Sequence, residues 1–334
     1  MTDITRFMLS DHNLGLDLMR ATEAAALAAA RWAGRGDKEA GDKAAVDAMR
    51  AVLNQVAMQG TIVIGEGEKD EAPMLANGEK VGTGWGQRID IAVDPVDGTR
   101  LLARGSRNSI AVLSAAEGGT MLDPHMCFYM DKLVAGADAA SADLDINAPI
   151  GHNIREVAKA LGKPVSEVVV GVLNRERHEK LISDIREAGA ATRMFTDGDV
   201  AAAVMAATPG MRVDLMAGVG GSPEGVVTAC AMKCLGGRIY AKLWPTTDEE
   251  RQRTIEAGFD VDQVFDTNGL VSSDDTLFVA TGITEGDLVD GVRFMADGSA
   301  RTKSVVMRSK SGTVRYVEAY HHLDKINAWA EMEG

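Results

Sequence analysis

Cysteine is scarce in this sequence. Its 334 residues include three cysteines, Cys127, Cys230 and Cys234. An odd number of cysteines without zinc-site spacing indicates neither a disulfide framework nor a structural zinc centre. Reduced thiols in a protein core are the usual state in the cytosol, so we expect a cytoplasmic protein. Cys230 and Cys234 are four residues apart and could share one helix face as small buried side chains; a redox or metal pair is the alternative.

Long apolar runs are also absent. No segment reaches the length of a membrane span, and Asp3, Arg6, Asp11, Asp17 and Arg20 interrupt the region where a secretory signal would have its apolar core. Both observations argue against export and against a membrane anchor. They favour the same cytoplasmic location as the cysteine content.

Basic residues are outnumbered. The chain has 35 Lys and Arg against 49 Asp and Glu, a formal net charge of -14. This balance repels nucleic acids and anionic membranes, and an anionic substrate would need cations at its binding site. With 46% hydrophobic residues, the chain is long enough for one large or two moderate α/β domains with substantial cores.

The N-terminal part of the chain changes from a helical to a strand-like pattern. Periodicity predicts helices and then short β-branched strands, at residues 13–32 and 42–56 for the helices and at 61–64, 89–93 and 109–114 for the strands. Gly34-Arg35-Gly36 separates the two helices. Acidic residues follow two of the strands.

The middle of the chain alternates between strands and helices. The predicted strands are 168–173, 193–196 and 213–216, and the predicted helices are 177–188, 199–207 and 224–235. This βαβα rhythm predicts an α/β fold with a mostly parallel or mixed sheet covered by helices. Further strands are expected at 276–280, 304–308 and 313–320.

A polar stretch at residues 136–153 lacks sustained periodicity and is the best candidate for a domain boundary. We therefore expect a metal-binding domain at residues 1–150 and a substrate-binding α/β domain at residues 151–290. Residues 291–334 would supply strands that complete the sheet of either domain. The basic residues at 301–315 alternate along these strands, which predicts solvent-facing positions rather than a binding site.

Carboxylates cluster at the boundaries of the predicted elements. They are Asp37 and Asp42 at a helix start, Glu66 and Glu68 after a strand, Asp94 and Asp97 after another, and Glu224 at a helix start. Carboxylate oxygens are the ligands of hard divalent cations, and sites in α/β proteins assemble at strand ends. Each cluster alone is also compatible with an ordinary turn, a helix cap or a favourable charge at a helix N-terminus.

Two segments favour a functional reading of these carboxylates. In Asp94-Pro95-Val96-Asp97-Gly98-Thr99, proline and glycine permit a tight turn that directs two carboxylates the same way, and the Thr99 hydroxyl could orient an attacking water. In Gly65-Glu66-Gly67-Glu68, glycines flank the carboxylates directly after a strand.

At these residues the sequence resembles a known family, the class II fructose-1,6-bisphosphatases, which are related to the lithium-sensitive inositol-phosphatase superfamily. The resemblance covers nearly the whole chain. Besides the two acidic segments, it is carried by Gly34-Arg35-Gly36-Asp37-Lys38 with Asp42, by residues 70–74, by Asp197-Gly198-Asp199-Val200 and by Gly220-Gly221-Ser222-Pro223-Glu224-Gly225. The Asp-Pro-x-Asp-Gly-Thr motif is typical of the superfamily, and the other segments point to class II.

The resemblance implies an α-β-α-β-α layered fold, with two mixed sheets sandwiched by helices. It also implies Mg²⁺- or Mn²⁺-dependent hydrolysis of the 1-phosphate of fructose 1,6-bisphosphate, in gluconeogenesis, by a homodimer or homotetramer. The metal ligands it implies are Asp42, Glu66, Asp94, Asp97 and Glu224. Some members have glutamate where this chain has Asp97, and a shorter carboxylate is still a competent ligand.

The resemblance implies further roles around these ligands. Lys38 and Thr99 are the implied catalytic residues; a loop lysine is the alternative for Lys38. The implied substrate contacts are Asp97, Gly98, Thr99, Tyr129, Arg175, Glu176, Arg177, Asp197, Gly198, Asp199 and Gly221. The arginines can hold the non-reacting phosphate, whereas Asp197 and Asp199 can accept hydrogen bonds from sugar hydroxyls. Some members have lysine at position 175, and arginine there keeps the charge but changes the geometry.

Three other functions stay open at this point. A phosphatase acting on inositol phosphates or 3′-phosphonucleotides would keep the metal loop, although residues 220–225 argue against it. A non-catalytic sugar-phosphate-binding protein would not need a water-orienting hydroxyl beside the metals. Hydrolysis of sedoheptulose 1,7-bisphosphate in addition is also compatible with the sequence.

Overall fold

The computed structural model describes residues 14–66 and 75–325. The elements up to the middle of the chain are α1 (Leu14–Ala30), α2 (Lys38–Leu53), β1 (Gln59–Ile64), β2 (Lys80–Val81), β3 (Arg88–Asp97), α3 (Thr99–Arg104), β4 (Ile110–Glu117), β5 (Tyr129–Ala135) and α4 (Ile150–Leu161). Glu68 and residues 70–74, which carried part of the resemblance, are among those outside the described ranges.

The second half continues with β6 (Val169–Leu173), α5 (Glu179–Glu187), β7 (Ala191–Phe195), α6 (Asp199–Ala207), β8 (Leu215–Gly221), α7 (Ser222–Leu235), β9 (Arg238–Leu243), α8 (Asp248–Glu256), β10 (Val264–Phe265), α9 (Thr267–Leu270), β11 (Thr276–Gly282), β12 (Arg293–Phe294), β13 (Ser299–Arg308) and β14 (Thr313–His322). None of the described helices is long and apolar enough to span a membrane.

These strands form two mixed sheets. The first has the order β12-β13-β11-β4-β3-β1-β2, with β14 beside β13, and the second has the order β10-β9-β5-β8-β6-β7. In the first sheet β1 runs parallel to β3, and in the second β6 runs parallel to β7 and β8; the other pairs are antiparallel. The predicted fold class, a mixed α/β structure with two mixed sheets, is confirmed.

The hydrophobic core shows how the layers stack. One cluster joins α1 and α2 to one face of the first sheet, through residues such as Leu18, Met49 and Ile91. A central cluster places α6 and α7 between the two sheets, and a third joins α4 and α5 to the outer face of the second sheet. The layers are therefore helix, sheet, helix, sheet and helix, and Cys230 and Cys234 lie in the middle one as buried thiols.

The sheets show where the chain changes from one to the other. β5, at residues 129–135, already belongs to the second sheet, and β11 returns the chain to the first. The strands after residue 291 also lie in the first sheet. The division into domains at residues 150 and 290 stays a prediction.

Several elements differ from the sequence prediction. The helix expected at residues 42–56 begins at Lys38, with Asp37 as its N-cap, so Asp42 lies inside the helix and not at its start. The sequence prediction also omitted β5, β9, α4 and α8. Asp131 and Lys132 interrupt the apolar pattern of β5, and α8 is strongly charged. The regular apolar patterns of β9 and α4 were missed.

Candidate active site

A cavity of about 720 Å³ opens between the ends of both sheets. It is lined by residues that the sequence analysis singled out, namely Lys38, Asp42, Glu66, Asp94, Asp97, Gly98, Thr99, Tyr129, Arg175, Arg177, Asp197, Gly198, Asp199, Gly221 and Glu224. Glu176 is exposed in the short turn Glu176–His178 and is not part of this lining. Apart from Glu176, the predicted site residues lie around one cavity.

A β-bulge directs the two aspartates of β3 towards this cavity. Asp94 pairs with Val112 of β4 and Asp97 pairs with Ile110, so that two residues of β3 are opposite one residue of β4. Side chains alternate along a strand, and residues three apart would otherwise point to opposite faces. The extra residue restores a common face, which is the face that Val112 and Ile110 present to the middle helical layer.

Electrostatic repulsion is strong on the acidic side of the cavity. Burial raises the pKa of Asp94 well above its ordinary value, and the neighbouring carboxylates of Asp97, Glu66, Glu224 and Asp42 raise it further. The pKa of Asp97 is raised for the same main reason, its burial.

Glu224 also lies in this cluster of carboxylates. Burial and then the nearby Asp199 carboxylate raise its pKa to about 7, against the lowering effect of Lys132. Its Oε2 atom is buried and has no hydrogen-bond partner among the described residues. A buried carboxylate oxygen without a partner is costly unless something else compensates its charge.

These residues fit a hard divalent cation. Oxygen donors from carboxylates are what Mg²⁺ and Mn²⁺ bind, and a cation would relieve both the repulsion and the unpaired Glu224 oxygen. Within residues 14–66 and 75–325, no group of three or more His, Cys, Asp or Glu side chains is already arranged to hold a metal ion. The fit therefore rests on the type of donor and on charge, not on ligand distances.

Two arginines give part of the cavity wall a cationic character. Arg175 donates from Nη2 to Asp197 Oδ1 over 2.7 Å and from Nη1 to the Thr196 carbonyl over 2.5 Å. Arg177 donates to the Val219 carbonyl, and its guanidinium lies 5.0 Å from the centre of the Tyr129 ring. Neighbouring residues thus hold the two guanidiniums in place, and Asp197, the partner of Arg175, also accepts from Arg100 N at the start of α3 over 3.4 Å.

His178 supports this cationic part of the wall without lining the cavity. It is buried; its Nε2 atom accepts from Val219 N over 2.8 Å, so Nδ1 carries the proton and donates to the Leu173 carbonyl over 2.7 Å. Burial lowers the pKa of His178. The His178 imidazole thus links the turn that contains Arg175 and Arg177 to strand β8.

Sequence reasoning missed Lys132, on β5. Its side chain is 2% exposed, and Nζ donates to Asp199 Oδ2 over 2.5 Å and to the Gly221 carbonyl over 2.8 Å. Lys132 follows Asp131 and precedes the apolar run Leu133 to Ala135, and this position becomes informative only once the segment is known to be a strand. Arg100 and Phe128 also line the cavity and were not predicted.

Comparison with known proteins agrees with this architecture. A model of the family described as "Bacterial fructose-1,6-bisphosphatase, glpX-encoded" matches residues 12–321. The chain is 44% identical over 326 residues to "Fructose-1,6-bisphosphatase 1 class 2" of Escherichia coli (strain K12), covering 93% of this chain and 96% of that protein. Two proteins named "Fructose-1,6-bisphosphatase class 2", from Escherichia coli O6:H1 and Shigella flexneri, match with the same identity and coverage.

The fold and the similarity together define a phosphatase of the sugar-phosphate class. The chain belongs to the glpX-encoded bacterial fructose-1,6-bisphosphatase family. The family and the enzyme class predicted from the sequence motifs are confirmed. The roles assigned to individual residues stay predictions.

Proposed function

We propose that this chain hydrolyses the 1-phosphate of fructose 1,6-bisphosphate to give fructose 6-phosphate and phosphate. The observation that carries the proposal is one cavity lined both by a cluster of carboxylates and by the guanidiniums of Arg175 and Arg177. A bisphosphate needs groups for both of its phosphates, and the carboxylates with their cations would serve the reacting phosphate and the arginines the other one. Assembly as a homodimer or homotetramer and a cytoplasmic location are part of the proposal.

The carboxylate cluster is proposed to work with Mg²⁺ or Mn²⁺. Asp42, Glu66, Asp94, Asp97 and Glu224 would hold the cations. When bound, such cations polarise the phosphoryl group, lower the pKa of a coordinated water and stabilise the leaving alkoxide. The donor type and the buried, unpaired Oε2 atom of Glu224 support this assignment.

The chain's own groups orient the reaction. Thr99 lines the cavity two residues after Asp97, where its hydroxyl can accept or donate a hydrogen bond to the attacking water. The water attacks phosphorus in line with the bond to the sugar oxygen, that bond breaks, and the sugar oxygen leaves as an alkoxide that takes up a proton. Lys38 can offset the charge of the phosphoryl oxygens, and positioning supplies much of the rate.

Other residues of the cavity wall would orient the sugar. Arg175 and Arg177 can bind the non-reacting phosphate, and the carboxylates of Asp197 and Asp199 can accept from sugar hydroxyls. Tyr129 and Gly221 border the same space. This wall distinguishes the proposal from an inositol-phosphate phosphatase, which would need a different wall beside the same metal loop.

Sedoheptulose 1,7-bisphosphate is a second proposed substrate. It carries one more carbon than the fructose substrate at the end distant from the reacting phosphate. The described cavity is open and about 720 Å³ in volume, which supports the accommodation of the extra carbon. Catalysis rather than binding alone is supported by the Thr99 hydroxyl beside the carboxylate cluster.

The test is phosphate release by the purified chain from fructose 1,6-bisphosphate, sedoheptulose 1,7-bisphosphate and inositol 1-phosphate, with Mg²⁺, with Mn²⁺ and with a chelator. Release from the fructose substrate should require a cation and be lost in Asp94→Asn. Asp184→Asn removes a carboxylate from an exposed helical ion pair and serves as the matched control with unchanged activity. Release from inositol 1-phosphate alone would contradict the proposal, as would ligand binding without turnover.

A further inference from the structure

The ion pair between Lys132 and Asp199 is buried beside the cavity. Lys132 is 2% exposed and Asp199 is 6% exposed. Lys132 projects from β5, Asp199 is the first residue of α6, and the carbonyl that Lys132 also contacts belongs to Gly221 at the end of β8. One ammonium group therefore joins three elements at the point where both Asp199 and Gly221 line the cavity.

Stability alone does not account for this pair. Moving a lysine and an aspartate out of water is costly, and apolar side chains of similar size are often as stable in such a place or more so. The surrounding backbone is also shaped for the pair. A Cβ atom at Gly220 would overlap Asp199 Oδ2 and lie 2.9 Å from Lys132 Nζ, so glycine is required there to make room for the ion pair.

We propose that Lys132 is a positioning residue for sugar recognition, acting through Asp199 and the Gly221 carbonyl. This inference rests on the proposed function, in which Asp199 accepts a hydrogen bond from a substrate hydroxyl. Lys132 engages Asp199 Oδ2, which fixes the rotamer of the carboxylate, so that Oδ1 is presented as an acceptor. The hydrogen bond from Lys132 Nζ to the Gly221 carbonyl also fixes the backbone at the end of β8.

The consequence is a specific kinetic effect of Lys132→Met. Without the ammonium, the buried Asp199 carboxylate loses its partner and can rotate, and it no longer accepts from the sugar in the required geometry. Hydrogen bonds to charged groups make substantial contributions, so we expect kcat/KM for fructose 1,6-bisphosphate to fall by about ten- to hundredfold, mainly through KM. The thermal shift produced by fructose 6-phosphate should weaken in parallel.

A matched variant separates this effect from the loss of a lysine–aspartate pair in general. Lys163 Nζ lies 2.6 Å from Asp214 Oδ1, with both side chains largely buried and outside the cavity lining. Lys163→Met should lower the unfolding temperature and leave KM and kcat unchanged. An equal change of KM in Lys163→Met and Lys132→Met would overturn the proposal, since both would then act through stability.

A double-mutant cycle tests whether Lys132 acts through Asp199. The double variant Lys132→Met with Asp199→Asn leaves no unpaired buried charge and should fold even where Lys132→Met alone is unstable. If the proposal holds, the KM of the double variant lies close to that of Asp199→Asn and well below the product of the two single effects, because only the Gly221 carbonyl is left for the lysine to hold. Independent, multiplied effects of the two substitutions would contradict it.

The outcomes also separate this inference from the proposed function. If the wild-type chain releases no phosphate from fructose 1,6-bisphosphate, the proposed function fails, and the fructose 6-phosphate shift still reports on Lys132. If the wild type is active and Lys132→Met keeps its KM and its fructose 6-phosphate shift, the inference about Lys132 alone is wrong.

Discussion

Gly221 shows how a single hydrogen atom in place of a side chain can shape the cavity. A Cβ atom at this position would overlap the carboxylate of Glu224, three residues further along α7. The backbone of Gly221 is extended, with φ -65° and ψ 143°, which alanine adopts readily. The effect of Gly221→Ala is therefore displacement of Glu224 and not backbone strain.

We expect Gly221→Ala to lower kcat/KM by roughly a hundredfold, because a displacement of about 1 Å at a reacting group can cost that much. The measurement is steady-state phosphate release together with thermal unfolding. Gly269→Ala is the control, since a Cβ there meets its nearest neighbour at 3.4 Å, an ordinary contact. Wild-type kinetics in Gly221→Ala would show that Glu224 does not need its observed position.

At the scale of single residues, the sequence was informative where chemistry is concentrated in short segments. Asp94, Asp97 and Glu224 stand among glycine and proline residues, so their unusual surroundings are visible locally. Lys132 has no such local signal. Its importance comes from Asp199, 67 residues away in the chain, and only the pairing of β5 with β8 brings the two together.

Helix α2 illustrates how an element places several groups at once. Asp37 is its N-cap and accepts a hydrogen bond from Ala40 N over 3.0 Å. Lys38 and Asp42, one turn apart on this helix, both line the cavity. The start of α2 therefore determines where the Lys38 ammonium group and the Asp42 carboxylate lie in the site.

Loss of this cap should affect both stability and activity. Asp37→Ala is expected to lower the free energy of unfolding by about 1 kcal/mol and to reduce kcat severalfold as the first turn loosens, whereas Asp37→Ser should retain both. Urea unfolding and phosphate release are the measurements. Asp266→Ala removes the comparable cap of α9, whose Gly269 N donates to Asp266 Oδ1 over 2.7 Å, and should cost stability alone. Equal activity in the two alanine variants would argue against a positioning role for the α2 cap.

A regular or continuous apolar pattern made several of the elements predictable from the sequence. Helix α6 is apolar on all sides and matches its predicted bounds at residues 199–207. Strand β5 contains Asp131 and Lys132, and α8 is strongly charged, so neither shows the usual periodicity. The bulge between Asp94 and Asp97 could not be predicted from the local sequence pattern either, because it is defined by the pairing of β3 with β4.

At the scale of the whole molecule, the layered fold brings three buried carboxylates with raised pKa values to one cavity. Asp94, Asp97 and Glu224 all have a raised pKa, with burial as the first cause in each case. The folded chain therefore binds protons more tightly at these groups than the unfolded chain, in which Asp and Glu have pKa values near 3.8 and 4.5. Their contribution to stability is present below about pH 4 and is lost as the pH rises towards the pKa of about 7 for Glu224.

The raised pKa of Glu224 predicts how the unfolding temperature responds to pH when no divalent cation is bound. In the presence of a chelator, the unfolding temperature of the wild type should fall relative to that of Glu224→Gln as the pH rises from about 5 to about 8, because the variant has no ionisable group at this position. His178 and His321 have lowered pKa values and act in the opposite direction, yet they are common to both proteins and cancel in the difference.

Mg²⁺ should remove this difference. A cation bound to the folded chain at about 100 times its dissociation constant adds about 2.7 kcal/mol of stability, which should raise the wild-type unfolding temperature well above its value in chelator. Glu224→Gln should gain less, because it offers the cation one carboxylate fewer, and Asp184→Asn should behave like the wild type. If the unfolding temperature of the wild type were the same with Mg²⁺, with Mn²⁺ and with chelator, these carboxylates would not be a cation site. The proposed mechanism would then have no positive charge to offset the carboxylates and the reacting phosphate.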